Sequence, residues 1–496
     1  MGVVPTDDEL TGAIRSLRAS NTGLGVPKLL AALLSSQPEW SVSEKRLRKV
    51  IQRLKSEEGT NFHPTSSLNS ALDVSKYSSK LKPALFGPEK GKGLVATQDI
   101  DAGEVLWRED PFVYAPPWEI YEAQMAGTAC AYCSRAFTPT NPPLRVRCPH
   151  GEQSVTATPP PVRHCRGVFC SRLCLSRSGS NHSLLCPVAN PACLDLLDFL
   201  GNEHWKAALA FAQSIVRILS AWQDETRSGL AKGKGAPNKS GDESLMSKDA
   251  VWDTYQSFAT LRNDQRWSHT SENDLARSQL ENRYKHLHTV LINALYLQPT
   301  ESQEDAGLGP TNTLTESIPV PTRSAAHTKQ LKRLLRLPIS QTTLTSLFSW
   351  DGLMEGLGKM NLNLEAHGGL FPLHSHLNHE CRPNVSIRHI SPDGSANSIL
   401  HSPNPSRITV IATSPIPAGV ELVVSYVDPS LDLRSRRREL RAWDFGVCQC
   451  GRCLEEEKSD SNTKDPEILG SRSKVKVGEE KDAGQLADEL RDFLGV

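Results

Sequence analysis

Residues 377–385 read LNHECRPNV, an amide, an imidazole, a carboxylate, a thiol and a guanidinium side by side, closed by Pro383 and a second amide, Asn384. The string has neither the two-residue alternation of a half-buried strand nor the 3.6-residue repeat of an amphipathic helix. Its residues are therefore selected for their side-chain chemistry, and the rest of the chain must say which chemistry that is.

With 496 residues, and roughly 100–200 residues per domain, two to four units are expected. The 56 Lys and Arg balance the 56 Asp and Glu, so any nucleic-acid or histone contact must come from a local patch. No apolar run reaches the roughly 20 residues of a membrane span, and MGVVPTDDEL lacks the basic and apolar regions of a signal peptide. The expectation is a soluble intracellular protein, likewise without a membrane partner. Gly2 and Thr6 have the outline of a myristoylation sequence, but Thr6 is better used as a helix cap. Twelve cysteines stand in clusters, and in a reducing compartment clustering points to metal rather than disulfides.

Along the chain, Thr6-Asp-Asp-Glu9 and Ser41-Val-Ser-Glu44 fit the capping box and Pro27 suits a helix-first position, so residues 1–60 read as a small helical, winged-helix-like domain. Lys45, Arg46, Arg48, Lys49, Arg53 and Lys55 decorate its last helix. They read as a solvated face, with docking on nucleosomal DNA as the alternative. The Ser-, Thr- and Asn-rich residues 61–81 read as a linker. From Gly91 onward β-branched runs are punctuated by Asp101-Ala-Gly103, a hairpin signature. Residues 187–360 read as a helical insert with disordered loops near 225–248 and 301–322, and 454–496 as a flexible tail carrying one short amphipathic stretch.

The cysteines fall into two groups. The first is Cys130-x2-Cys133, Cys148, Cys165-x4-Cys170-x3-Cys174 and His182-x3-Cys186. Eight soft donors make two tetrahedral zinc sites, paired as Cys130, Cys133, Cys170, Cys174 and Cys148, Cys165, His182, Cys186. Such interleaving lets a segment with little core hold its shape through metal; His150 and His164 then remain loop residues. The second group, Cys448-x-Cys450-x2-Cys453, has only three donors. A closed site needs a fourth, and Cys381 inside LNHECRPNV supplies it, so a third zinc would tie the C-terminal segment to the opening motif. Cys193 reads as an ordinary buried thiol.

Taken together, GKGL (91–94), the cysteine module, GGLFPLHSHLNHECRPN (368–384), ELVVSYVD (421–428) and FGVCQCGRC (445–453) resemble, in this order, the SET-domain lysine methyltransferases of the SET-and-MYND kind. The helical N-terminus and long inserts are most similar to the fungal SET domain protein five group, for which methylation of the histone four tail is implied. The resemblance implies an α+β fold in which residues 82–129 and 361–427 build the SET core. It also implies a MYND-type finger at 130–186 and a post-SET zinc arm at 428–453. Three positions depart from the family's pattern: Glu380 replaces a serine, sixteen residues separate Cys148 from Cys165, and Gly446 stands where an aromatic is usual, with Phe445 one position away.

For the site, the resemblance implies a protein-lysine methyltransferase using S-adenosylmethionine, held by Gly91, Lys92, Gly93, Asn361, Asn378, His379, Tyr426 and Phe445. Tyr426 is then the catalytic residue. Gly91 and Gly93 would admit the cofactor where a Cβ would collide, Asn378 and His379 would bond its methionine and adenine ends, and Asn384 would fasten the loop. Expected partners are a histone tail, nucleosomes through the basic helix and Pro-rich peptides at the finger. The expected state is a monomer, in nucleus and cytoplasm. The competing reading is a chromatin or peptide adaptor whose SET fold is catalytically silent.

Overall fold

Leu10, Ile14, Leu29, Leu33, Val42, Leu47 and Val50 recur at helical spacing and are all buried together, so the N-terminal residues close a small core of their own. In this computed structural model the described residues are 5, 10, 13–14, 17, 26–37, 40–43, 46–47, 50, 63–87, 90–137, 145–152, 165–231, 246–267, 274–299, 318–389, 406–444 and 446–462. The chain divides into two units, Met1–His63 and Pro64–Val496. In the first unit α1 spans Val26–Ser36. The cap of the helical turn that follows is Ser43, whose hydroxyl accepts from the Arg46 amide at 3.2 Å, rather than the expected Ser41. The Thr6–Glu9 box and Lys45, Arg48, Lys49, Arg53 and Lys55 lie outside the described residues.

In the second unit, residues 64–81 are a strap rather than a free linker. Thr65 exchanges both backbone hydrogen bonds with Thr260, Asn69 Nδ2 donates to Thr254 Oγ1 at 3.0 Å, and Ser66 Oγ accepts from the Lys92 amide at 3.2 Å. Short polar side chains, which suggest a loop by composition, here tie the strap to the helices and to the Gly91 segment.

Strands β1 (Leu81–Leu85) and β2 (Lys92–Ala96) pair antiparallel. The turn at Asp101–Gly103 then leads into β3 (Val105–Glu109), which belongs to a different sheet. The expected hairpin is thus a sheet-to-sheet corner. Next come β4 (Val113–Tyr114), α2 (Trp118–Met125), β5 (Val146–Arg147), β6 (Val168–Phe169) and α3 (Arg172–Arg177), of which the last three belong to the cysteine module.

A helical layer follows, with α4 (Leu194–Glu203), α5 (Lys206–Ala231), α6 (Lys248–Ser257), α7 (Asn263–Trp267), α8 (Asp274–Leu295), α9 (Ala325–Leu334), α10 (Gln341–Phe348) and α11 (Trp350–Asn363). From Ala207 to Ala212 every residue of α5 is buried, so this first part of the helix is apolar all round and is enclosed by the layer. A Cβ on Gly358 of α11 would lie 1.8 Å from the Leu261 carbonyl oxygen, so only glycine permits that approach. Asn190, fully buried, donates to the carbonyls of Leu184 at 2.8 Å and Ala294 at 3.0 Å, which sews the end of the cysteine module to α8.

The chain returns to the strands with β7 (Gly369–Leu370), β8 (Asn378–His379), β9 (Val385–Arg388), β10 (Ile408–Ala412) and β11 (Val423–Val424). Order β3-β10-β9 makes the three-stranded sheet, β4 pairs with β7, and β8 lies parallel to β11. Leu94, Ile100, Leu106, Trp107, Leu377, Val410 and Leu422 form the core beneath these strands. The unit ends with α12 (Leu433–Glu439) and α13 (Gly451–Asn462). The acidic run after Cys453, expected to be flexible, is helical as far as Asn462, its glutamates paired with Arg382, Arg436, Arg437 and Arg452. Residues 463–496 and both inserted low-complexity stretches at 232–245 and 300–317 lie outside the described residues.

Candidate active site

The parallel pairing of β8 with β11 explains the aperiodic opening motif. It sets Asn378 beside Val423 and His379 beside Val424, so the side chains of 378–384 meet those of 421–426. Asn384 fastens the crossing, its amide donating to the Glu421 carbonyl at 2.8 Å while its Oδ1 accepts from the Val423 amide at 2.8 Å.

Asn378 uses Nδ2 twice, donating to the Lys92 carbonyl at 3.0 Å and to Glu421 Oε1 at 2.8 Å. Its Oδ1 is the group left to accept from a donor. Glu421 also pairs with Lys90 Nζ, so one carboxylate clamps the Gly91 loop to Asn378. Glu421 was missed as a site residue. Its signal in the sequence is its place at the head of ELVVSYVD, a carboxylate against an apolar run.

The glycines are required by protein groups. Gly91 has φ +70°, and a Cβ there would lie 2.5 Å from Ser66 Oγ; at Gly93 it would lie 2.3 Å from Phe86 and 3.1 Å from Asn378 Nδ2. The buried Lys92 ammonium turns away from Asn378, donating to the Ser257 carbonyl at 2.8 Å and to Ser375 Oγ at 2.9 Å. Burial brings its pKa down to about 7, with Lys359 adding to the fall. Only its backbone carbonyl faces Asn378.

Tyr426 donates its hydroxyl to the Leu377 carbonyl at 2.8 Å, one residue before Asn378, and its backbone amide donates to His379 Nδ1 at 3.0 Å. Burial, with Glu421 and Glu365 adding, holds its phenol well above the ordinary value, so the hydroxyl keeps its proton. Burial and then Arg436 push His379 down to about 4, so the ring is neutral. With Nδ1 accepting, the ring proton sits on Nε2, 3.3 Å from Cys381 Sγ. Both ring nitrogens thus face protein groups, which leaves the His379 backbone for the expected cofactor contact.

Asn361 turns its side chain to the helical layer. Its amide donates to Asn263 Oδ1 at 2.8 Å, and Asn363 bonds Ala259 and Lys359, so both asparagines brace α11 against the segments around α7. Phe445 lies outside the described residues. The aromatic beside Tyr426 is Trp443, with ring centroids 4.6 Å apart. The helical layer reaches this segment through Arg266, which donates to the Ala442 carbonyl at 2.5 Å and pairs with Asp444 at 2.6 Å.

The structure brings the twelve expected metal-ligating residues together in three groups of four: Cys130, Cys133, Cys170, Cys174; Cys148, Cys165, His182, Cys186; and Cys381, Cys448, Cys450, Cys453. Within each group the donor atoms lie within 4.8 Å of one another, and all twelve cysteines are free thiols. Soft donors in fours at this separation fit tetrahedral zinc. Around the third group Arg436, fully buried, places Nη2 3.8 Å from Cys453 Sγ and 2.6 Å from Glu456. A zinc tetrathiolate carries two net negative charges, which this guanidinium and the His379 N–H would offset.

A profile of the SET domain matches residues 91–427, well over half of the chain. The chain belongs to the SET-domain family. This SET-domain protein has mixed helix and sheet, in keeping with an α+β fold. It is 28% identical over 375 residues to "Histone-lysine N-methyltransferase SET5" of Mycosarcoma maydis, covering 75% of this chain and 67% of that protein. It is 25% identical to the protein of the same name from Scheffersomyces stipitis, over 96% of this chain and 86% of that one. To that of Candida albicans it is 23% identical, with coverages of 95% and 83%. Among the described residues of this SET-domain protein no helix is long and apolar enough to cross a membrane.

Proposed function

We propose that this SET-domain protein is a histone-lysine N-methyltransferase that uses S-adenosylmethionine and acts on histone tails, that of histone four first, in the nucleus. The SET5 relatives support the histone-lysine activity. The observation that carries the site is the clamp at Asn378, whose two amide hydrogens are spent on Lys92 and Glu421 beside a tyrosine hydroxyl fixed on Leu377.

When bound, S-adenosylmethionine supplies an electrophilic methyl on a sulfonium, so what the protein must add is orientation and a neutral lysine nucleophile. The residues fit such a ligand. Asn378 Oδ1 would accept from its ammonium, the Gly91–Gly93 backbone would lie along it, and Trp443 offers an aromatic face next to Tyr426. Tyr426 keeps its phenolic proton, so its oxygen acts by position and partial charge rather than as a base. His379 holds the Tyr426 backbone, and through Cys381 ties it to the third cysteine group.

The three groups would hold three zinc ions, two in a MYND-type module and one in a post-SET arm. A histone tail is the substrate partner in this reading; Pro-rich peptides at the module and nucleosomal DNA at the N-terminal unit are further proposed contacts of a monomer.

Incubation of the full chain with methyl-labelled S-adenosylmethionine and mixed core histones tests the activity. Label is expected in histone four and lost in Tyr426→Phe. Cofactor binding with no label in any histone would instead favour an adaptor.

A further inference from the structure

One side chain of the helical layer grips Trp443 from both flanks. Arg266 donates from Nη2 to the Ala442 carbonyl and pairs through Nε with Asp444, so the residues before and after the indole are held by a single guanidinium. A lysine could not do this, being one point charge where arginine presents a rigid planar fork. Asp444 has φ +54°, so the chain turns sharply once the indole is placed. The Trp443 and Tyr426 rings lie 4.6 Å apart with 40° between their planes, and both pack against the cluster of Leu440, Cys381, Cys448 and Cys453.

The grip comes from an element that is itself pinned. Although α7 is only five residues long, the buried Asn263 donates to the Tyr284 hydroxyl of α8 and accepts from Asn361 of α11, and Arg262 just before it pairs with Asp264 and with Asp351 of α11. Residues 440–444 therefore have two anchors, the third cysteine group and the helical layer. With the first alone, the stretch between α12 and Cys448 could pivot about its cysteine end. With both, the indole has one place to be.

We propose that Arg266 is a positioning residue for methyl transfer, fixing the Trp443 face against Tyr426 so that the cofactor and the phenol keep one mutual geometry. This rests on the reading of the cleft beside Tyr426 as the cofactor site. Arg266 acts through Trp443, not through a contact of its own with the ligand. The helical insert, remote from Tyr426 in the chain, thereby sets one wall of the reacting centre.

Fluorine NMR of the full chain grown with 5-fluorotryptophan, together with calorimetric titration of S-adenosylmethionine, tests this. Of the nine tryptophans, Trp443 is assigned as the resonance lost in Trp443→Phe. Arg266→Met, which removes both bonds, is expected to shift or broaden that resonance and to weaken cofactor binding about tenfold, the scale of one hydrogen bond to a charged group. In a Trp443→Ala background the same substitution should cost less than about twofold, because the group it acts through is gone. An unmoved Trp443 resonance, an unchanged affinity, or additive losses in the double variant overturn the proposal while leaving the cofactor reading intact. Should Arg266→Met not fold, Arg266→Lys, which keeps a charge at Asp444 but cannot also hold Ala442, is expected to move the same resonance, and a resonance that stays in place overturns the proposal. A parent that binds no S-adenosylmethionine fails the cofactor reading itself and the proposal with it.

Discussion

The cysteine-rich module at 130–186 and the C-terminal group around Cys381 have similar donor sets but different surroundings. The eight donors of the module occupy 57 residues whose buried centre, apart from Phe169, is the cysteines themselves. Metal there would substitute for a core. The third group draws Cys381 from the strand region and three thiols from a segment about seventy residues later, and its neighbours are His379, Arg436 and, one contact further, Tyr426. The same coordination chemistry would thus hold up a fold in one place and set the orientation of a reacting group in the other.

The largest expected effect tests this contrast directly. Cys381→Ser and Cys133→Ser should each release about one zinc, but only the first should lower methyl transfer, by roughly a hundredfold or more, because it also removes the partner of His379. Calorimetric cofactor titration beside a rate assay measures both variants, and equal losses would erase the distinction. Next comes Tyr426→Phe, which should cut the rate by about a hundredfold while cofactor affinity stays within about twofold, since only the hydroxyl at the reacting centre is lost. A matching fall in affinity would make Tyr426 a binding rather than an orienting residue.

Glu421→Gln should weaken cofactor affinity by roughly tenfold, the scale of one charge-assisted hydrogen bond. The rate at saturation should change less. A change confined to the saturated rate would move Glu421 from the clamp to the reacting centre.

The smallest effect concerns the strap. A chain beginning at Pro64 should match the whole protein on a tail peptide within about twofold, whereas one beginning at Leu81 should bind cofactor less well and melt a few degrees lower, having lost about 1 kcal/mol for each strap hydrogen bond. Identical behaviour of the two truncations would return residues 64–80 to the role of a linker. Beyond that, a difference between the Pro64 chain and the whole protein seen only on nucleosomes at low salt would assign docking to the N-terminal unit.

What could be read in the sequence divides along the same physical line. The twelve positions expected to hold metal follow from residue type and from counting donors in fours, and the structure gathers them as expected. The aperiodic 377–385 stretch is likewise visible as chemistry that no core requires, whereas Tyr426 by itself reads as a core tyrosine and is singled out only by the family resemblance of ELVVSYVD. The directions of Lys92, His379 and Asn361 were not visible, because each is decided by a partner remote in the chain: Ser257, Tyr426 and Asn263. Ser66 lies in no motif and Glu421 opens ELVVSYVD without a role implied for it, and what each does arises only when the strap and β11 are brought to Gly91 and Asn378.

Asn190 has a mechanical consequence. A hydrogen-bonded amide, buried where the module ends and bonded to the carbonyls of Leu184 and Ala294, makes that junction a bracket rather than a swivel. A partner grasped by the module would then be carried on the helical layer instead of swinging about a free hinge. Capture there would act as a ruler, selecting which lysine along a tethered chain comes within reach, rather than as a throttle on how fast a lysine already in place is modified.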